Sequence, residues 1–135
     1  MSMPLTGTCL CGAVRFEITG GFQHFFLCHC SRCRKATGSA HAANLFSRTA
    51  SLTWLMGEDL VRRYRVPDSR NEKCFCSQCG SPLPNARPDQ GLLMVPAGSL
   101  DSRIDLRPEA HIHMASKAAW DRDLERVPLL DGSPS

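Results

Sequence analysis

The chain has 135 residues, 42% of them hydrophobic, with 16 Lys and Arg against 13 Asp and Glu and a formal net charge of +3. That length suits a single domain with a modest core, and so small a charge, carried by scattered basic residues, predicts no nucleic-acid partner. No stretch approaches the roughly 20 apolar residues of a membrane span. Residues 1–7 lack the basic and apolar regions of a signal peptide, so a cytoplasmic chain with reduced thiols is expected.

The first feature is Cys9-Leu-Cys11-Gly12. Residues 13–19 then alternate cleanly, with Val14, Phe16 and Ile18 on one face, as a half-buried strand does. Gly20-Gly21 predicts a turn, and 23–27 a second strand running into Cys28-His-Cys30-Ser-Arg-Cys33. Residues 31–37 read as a short helix. Strands are expected at 41–46, at 51–55 before a turn at Gly57, and at 61–66, where apolar and basic residues mix. The late cluster Cys74-Phe-Cys76-Ser-Gln-Cys79-Gly80 follows. Further strands are expected at 91–95 and 111–114, and a second short helix at 116–124 with Trp120 as a core anchor. Residues 1–129 are expected to form one domain and 130–135 a frayed tail. The class is all-β or β-rich.

Eight cysteines are the feature that decides the chemistry. An even count fits four disulfides, but Cys-x-Cys pairs are poorly placed to cross-link anything except a neighbouring cluster. Cysteines two or three apart can instead turn their thiolates toward one point, as a tetrahedral soft-metal site needs. Cys76 and Cys79 with Gly80 form one knuckle half, and Cys9 and Cys11 with Gly12 the matching half. Together they make a closed, structural four-cysteine site. Two readings of the rest stay open. Cys28, Cys30, Cys33 and Cys74 close a second structural site, or the first three bind zinc alone with one position open, the mark of a catalytic zinc. In an extended segment Cys74 shares a face with Cys76, where it lies beside the metal or is buried as a small hydrophobe.

Several separated motifs, in order, resemble those of the glutathione-dependent formaldehyde-activating enzyme family, also called centromere-protein-V-like. They are Gly7-Thr-Cys-Leu-Cys-Gly-Ala-Val14, Cys28-His-Cys-Ser-Arg-Cys-Arg-Lys-Ala-Thr-Gly-Ser39, Phe75-Cys-Ser-Gln-Cys-Gly-Ser81, Ala97-Gly-Ser-Leu-Asp101, Pro108-Glu-Ala-His-Ile112 and Lys117-Ala-Ala-Trp120. The resemblance implies a zinc-binding β-tent fold. It implies two Zn²⁺ ions per chain, one structural on Cys9, Cys11, Cys76 and Cys79, the other on Cys28, Cys30 and Cys33. It assigns Cys74 no role.

Three thiolates and Zn²⁺ sum to a charge of about −1, which makes a weak Lewis acid poorly suited to generating hydroxide. Such a site is well suited to holding an incoming thiol, whose free pKa is roughly 8.5, as the reactive thiolate. The expected reaction is carbon–sulfur lyase-type chemistry on a glutathione adduct: glutathione attacks formaldehyde to give the S-hydroxymethyl adduct. A thiol carrier without turnover and a binding module are the alternatives. Arg32, Arg34 and Lys35 either bind a glutathione carboxylate or are exposed loop charges. His29, between two ligands, is a proton shuttle or a hydrogen-bonding support. His111 and His113 alternate on the expected last strand and so share a face there.

Overall fold

The computed structural model describes residues 3–134, so Met1 and Ser2 of the leader reading, and Ser135 of the expected tail, lie outside the described residues. Ten short strands and one α-helix follow in the order β1 (Leu5–Thr8), β2 (Arg15–Thr19), β3 (His24–Cys28), α1 (Ser31–Thr37), β4 (Ala42–Ser47), β5 (Ser51–Met56), β6 (Val61–Arg65), β7 (Glu72–Cys76), β8 (Asn85–Arg87), β9 (Leu92–Pro96) and β10 (Ala110–Ile112). The all-β class expected from the sequence holds. The strands form three small sheets, ordered β1-β2-β5, β10-β3-β4-β9-β8 and β6-β7. All pairings are antiparallel except β10 with β3.

The alternation at 13–19 points as the pattern requires: Val14, Phe16 and Ile18 are fully buried. They meet Leu45 of β4, Leu93 and Val95 of β9, and Cys74 and Cys76 of β7 in one core. Phe16 packs edge-on against Trp54 with ring centroids 6.1 Å apart. Ser47 and Asn85, two buried polar residues beside this core, are hydrogen-bonded, as low-dielectric surroundings demand. Ser47 Oγ donates to the Gly21 carbonyl at 2.7 Å and accepts from the Ala50 amide at 2.8 Å. Asn85 Oδ1 accepts from Arg63 at 2.8 Å.

Three expectations are corrected. Residues 116–124 are not an α-helix; two single 3-10 turns, Met114–Ser116 and Leu124–Arg126, flank an irregular stretch. Trp120 is not a core anchor but 62% exposed, and the small Ala118 is the buried residue of that segment. Side-chain size had suggested Trp120, whereas without helical periodicity the chain turns its methyl group inward instead. Last, β10 ends at Ile112 and His113 has a positive φ of 58°, so His111 and His113 do not share a strand face. β1, β7 and β8 are absent from the sequence reading: the four residues of β1 and three of β8 leave too little alternation to read, and the cysteines of β7 read first as ligands.

Candidate functional site

The cysteines sort themselves by geometry. The sulfurs of Cys9, Cys11, Cys76 and Cys79 lie within 4.8 Å of one another, as do those of Cys28, Cys30 and Cys33. All eight cysteines are free. Cys74 joins neither group, although it is buried on the same face of β7 as Cys76. Both groups can hold a metal ion.

The first cluster is built from two matching turns. Cys9-Leu-Cys11 follows β1, and the Gly12 amide returns to the Cys9 carbonyl at 3.0 Å; in the second, the Gly80 amide returns to the Cys76 carbonyl at 2.7 Å. Gly12 and Gly80 have φ of 81° and 79°, the left-handed region that a Cβ disfavours. Ser81 ties the halves together: its hydroxyl accepts from the Leu10 amide at 2.8 Å and lies 3.3 Å from Cys79 Sγ. Backbone amides aim at the sulfurs, Val14 at Cys9 (3.2 Å) and Gln78 at Cys76 (3.4 Å). Such N–H groups stabilise thiolates.

Two observations fit this cluster to a tetrahedral soft metal. Zn–S bonds of about 2.3 Å put sulfurs about 3.8 Å apart, and Cys9–Cys11 and Cys11–Cys76 stand at 3.5 and 4.0 Å. The second observation is electrostatic. The hydroxyl and amide of Ser81 hold the Cys79 thiol down at about 5, while Cys11 is pushed up to about 11. There the Ala13 amide favours the thiolate, but burial and the three neighbouring sulfurs outweigh it. Charge placed on one sulfur resists charge on the next, so only a cation lets all four ionise together.

The central cluster is built differently. Cys28 ends β3, Cys33 lies in α1, and Cys30 is the N-cap of that helix, its Sγ accepting from the Cys33 amide at 3.4 Å. Gly38 closes the helix with φ 68°. Cys28, Cys30 and Cys33 are half-buried, whereas the first cluster runs from the buried Cys9 and Cys76 to the exposed Cys11. Burial and the other two thiols raise the Cys33 thiol well above its ordinary value; burial also raises Cys28. Among the described residues, no fourth His, Cys, Asp or Glu donor completes this group. Two concavities, of about 220 and 540 Å³, lie elsewhere, along Ser47 to Leu52 and beside Thr8 and Ser81.

Burial pushes the Cys74 thiol up to about 11. It sits opposite Arg63 in the β6–β7 pair. Cys74→Ala is expected to leave the metal content unchanged and to cost about 1 kcal/mol for the small void, read by metal analysis and urea unfolding. A lost metal ion would make Cys74 a ligand.

The central loop is backed by histidines. His29 is 1% exposed, its amide donating to the Ile112 carbonyl at 2.9 Å. Its Nε2 lies 2.8 Å from His111 Nδ1 and its Nδ1 lies 3.1 Å from Asp121 Oδ2. His41 packs 5.1 Å from the His29 ring, its pKa lowered first by burial and then by His29 and His111. The sequence reading found His29 and His111 but joined neither to Asp121 nor to His41. No local spacing links residues 82 apart, and only the parallel β3–β10 pairing does so. Arg32 and Lys35 of α1 are exposed and Arg34 half-buried.

The family model of the glutathione-dependent formaldehyde-activating enzymes matches residues 4–116. A Halomonas elongata protein, provisionally named a glutathione-dependent formaldehyde-activating enzyme, is 34% identical over 125 residues, covering 87% of this chain and 80% of that protein. A crystal structure of a Rhodobacter sphaeroides protein superposes with a TM-score of 0.58 at 27% identity, covering 78% of this chain and 98% of the other. Those matched residues span both cysteine clusters and the β3–β10 pairing, and the chain belongs to the glutathione-dependent formaldehyde-activating enzyme family.

Proposed function

We propose that this protein is a zinc-dependent enzyme of the carbon–sulfur lyase type that joins a small thiol, glutathione first, to formaldehyde as the S-hydroxymethyl adduct. The observation that carries this reading is the contrast between the clusters: four sulfurs locked by two turns, against three sulfurs without a fourth donor among the described residues. The name of the family and of the Halomonas elongata relative supports the choice of thiol and aldehyde.

In this reading Cys9, Cys11, Cys76 and Cys79 hold a structural zinc, and Cys28, Cys30 and Cys33 hold the second. Zinc bound to three thiolates supplies a place where an incoming thiol is kept as its thiolate. The protein's own part is to fix that place. The β3 end and the capped first turn of α1 set the three sulfurs. Arg32 and Lys35 offer cations to glutathione's carboxylates beside them. Eight free thiols suit a reducing, cytoplasmic setting.

The test is adduct formation from glutathione and formaldehyde with the zinc-loaded protein, minus the uncatalysed rate, alongside direct measurement of glutathione binding. Saturable turnover above the blank is expected. Saturable binding without turnover would make the protein a thiol carrier instead, and neither binding nor turnover would overturn both.

A further inference from the structure

One end of the five-stranded sheet carries a cleft of about 220 Å³ that the thiol chemistry does not use. Three neighbouring strands meet there. Ser47, the last residue of β4, stands opposite Leu93 of β9, and Ala86 and Arg87 of β8 stand opposite Leu93 and Leu92. Ala50 and Leu52, at the entry to β5, come from the other sheet. Ala50, Leu52, Ala86 and Leu93 line the cleft, and all four belong to the hydrophobic core or pack against it. The apolar layer between the sheets therefore opens to solvent at this point.

Two arginines line this apolar floor. Arg48 sits in the β4–β5 turn, where its amide donates to Gln23 Oε1 at 2.7 Å and its Nη1 donates to the Gln90 carbonyl at 3.2 Å. Arg87 ends β8, and its Nη2 donates to the Arg70 carbonyl. A backbone carbonyl thus tethers each guanidinium by one nitrogen and leaves further donors of the fork for an acceptor. Among the described residues neither arginine takes part in an ion pair. No Asp or Glu lines the cleft, and Asp89, two residues beyond Arg87, is exposed on the following turn.

We propose that this cleft is a second ligand site and that it binds a small organic carboxylate. The carboxylate lies between the guanidiniums of Arg48 and Arg87, whose planar forks match its two oxygens. A short apolar stem covers Ala50, Leu52, Ala86 and Leu93. Sites for drug-sized ligands run from roughly 300 to 1,000 Å³, so about 220 Å³ restricts the stem to a few carbons. Inorganic phosphate meets the same charges but leaves the floor bare. Glutathione with its sulfur at the central cysteines does not reach this place. Cys28 stands opposite Ala42, five residues along β4 from Ser47; that is about 17 Å, whereas an extended tripeptide spans roughly 10 Å. The cleft is therefore independent of the thiol reaction proposed above.

Butyrate tests this on the full chain, followed by ¹H–¹⁵N spectra of the backbone amides and the arginine side chains. Saturable shifts are expected at residues 47–52 and 86–93. Butylamine, with the same stem and the opposite charge, should produce none there, and inorganic phosphate should bind at least about 10-fold more weakly. Arg48→Gln and Arg87→Gln should each weaken butyrate about 10-fold or more, because each removes charge-assisted hydrogen bonds. Arg87→Lys, which keeps the charge and loses the fork, should recover only part of that loss. The absence of saturable shifts with butyrate, equal shifts with butylamine, or unchanged butyrate affinity in both glutamine variants would overturn the proposal. Phosphate binding as tightly as butyrate would overturn the organic carboxylate, since the apolar floor would then contribute nothing. Butyrate shifts confined to residues 28–35 would overturn the cleft and place the carboxylate beside the cysteines.

Discussion

Changing Cys76 to Ser is expected to remove one zinc ion from each chain and to lower its stability by at least about 4 kcal/mol. The reason is chain entropy. Cys11 and Cys76 are 65 positions apart and their sulfurs 4.0 Å apart. A metal across them closes a loop of that length, and the same loop-closure relation that describes cross-links gives about 4 kcal/mol for it. Cys76 is also fully buried within the core cluster, so a hydroxyl there adds a desolvation cost of about 1–3 kcal/mol when it lacks a partner. Cys11 is exposed, so Cys11→Ser should lose the metal with less of that second cost. Zinc per chain by mass spectrometry and urea midpoints check both. A Cys76→Ser protein with two zinc ions and an unchanged midpoint would show that the cluster is not a metal-held clasp.

The central cluster should respond in the opposite way. Cys30→Ser is expected to remove the other zinc ion and to abolish blank-subtracted turnover, by at least about 100-fold, with stability changed by no more than about 1 kcal/mol. Cys30 is the N-cap of α1, with its sulfur accepting from the Cys33 amide. Serine is among the best N-caps, so the substitution keeps the helix start while exchanging a soft ligand for a poor one. Cys30→Ala loses both roles and should cost about a further 1 kcal/mol. A Cys30→Ser protein that unfolds like the Cys76→Ser one would place a structural site at the centre. One that still turns over would move the chemistry away from these three sulfurs.

Much of this was legible before the fold was known. The alternation at Val14, Phe16 and Ile18 placed β2 and its buried face, because a period of two is unambiguous over that length. The helix at 31–37 was legible too, and Gly38 is its left-handed C-cap. The pairing of Cys9 and Cys11 with Cys76 and Cys79 followed from two knuckles that each end in glycine, and those four sulfurs do meet. Residues 116–124 failed because Ala118, Ala119, Trp120 and Leu124 suit a helix by composition, while the segment's buried contacts are made by Ala118 and Asp121.

The sequence by itself determined the class, because alternation is a local property, and the family, because its motifs stand in order; spacing alone left open whether Cys28, Cys30 and Cys33 stand apart from Cys74. It left two matters open that only the tertiary structure decided. Cys74 stays outside both clusters: a shared strand face with Cys76 sets direction but not distance. The His29–His111 hydrogen bond and the close approach of Asp121 to His29 bring together β10, the β3–α1 turn and the C-terminal segment. Contacts between residues 82 and more positions apart leave no periodic trace in the sequence; they exist because a parallel strand pairing carries His111 alongside β3.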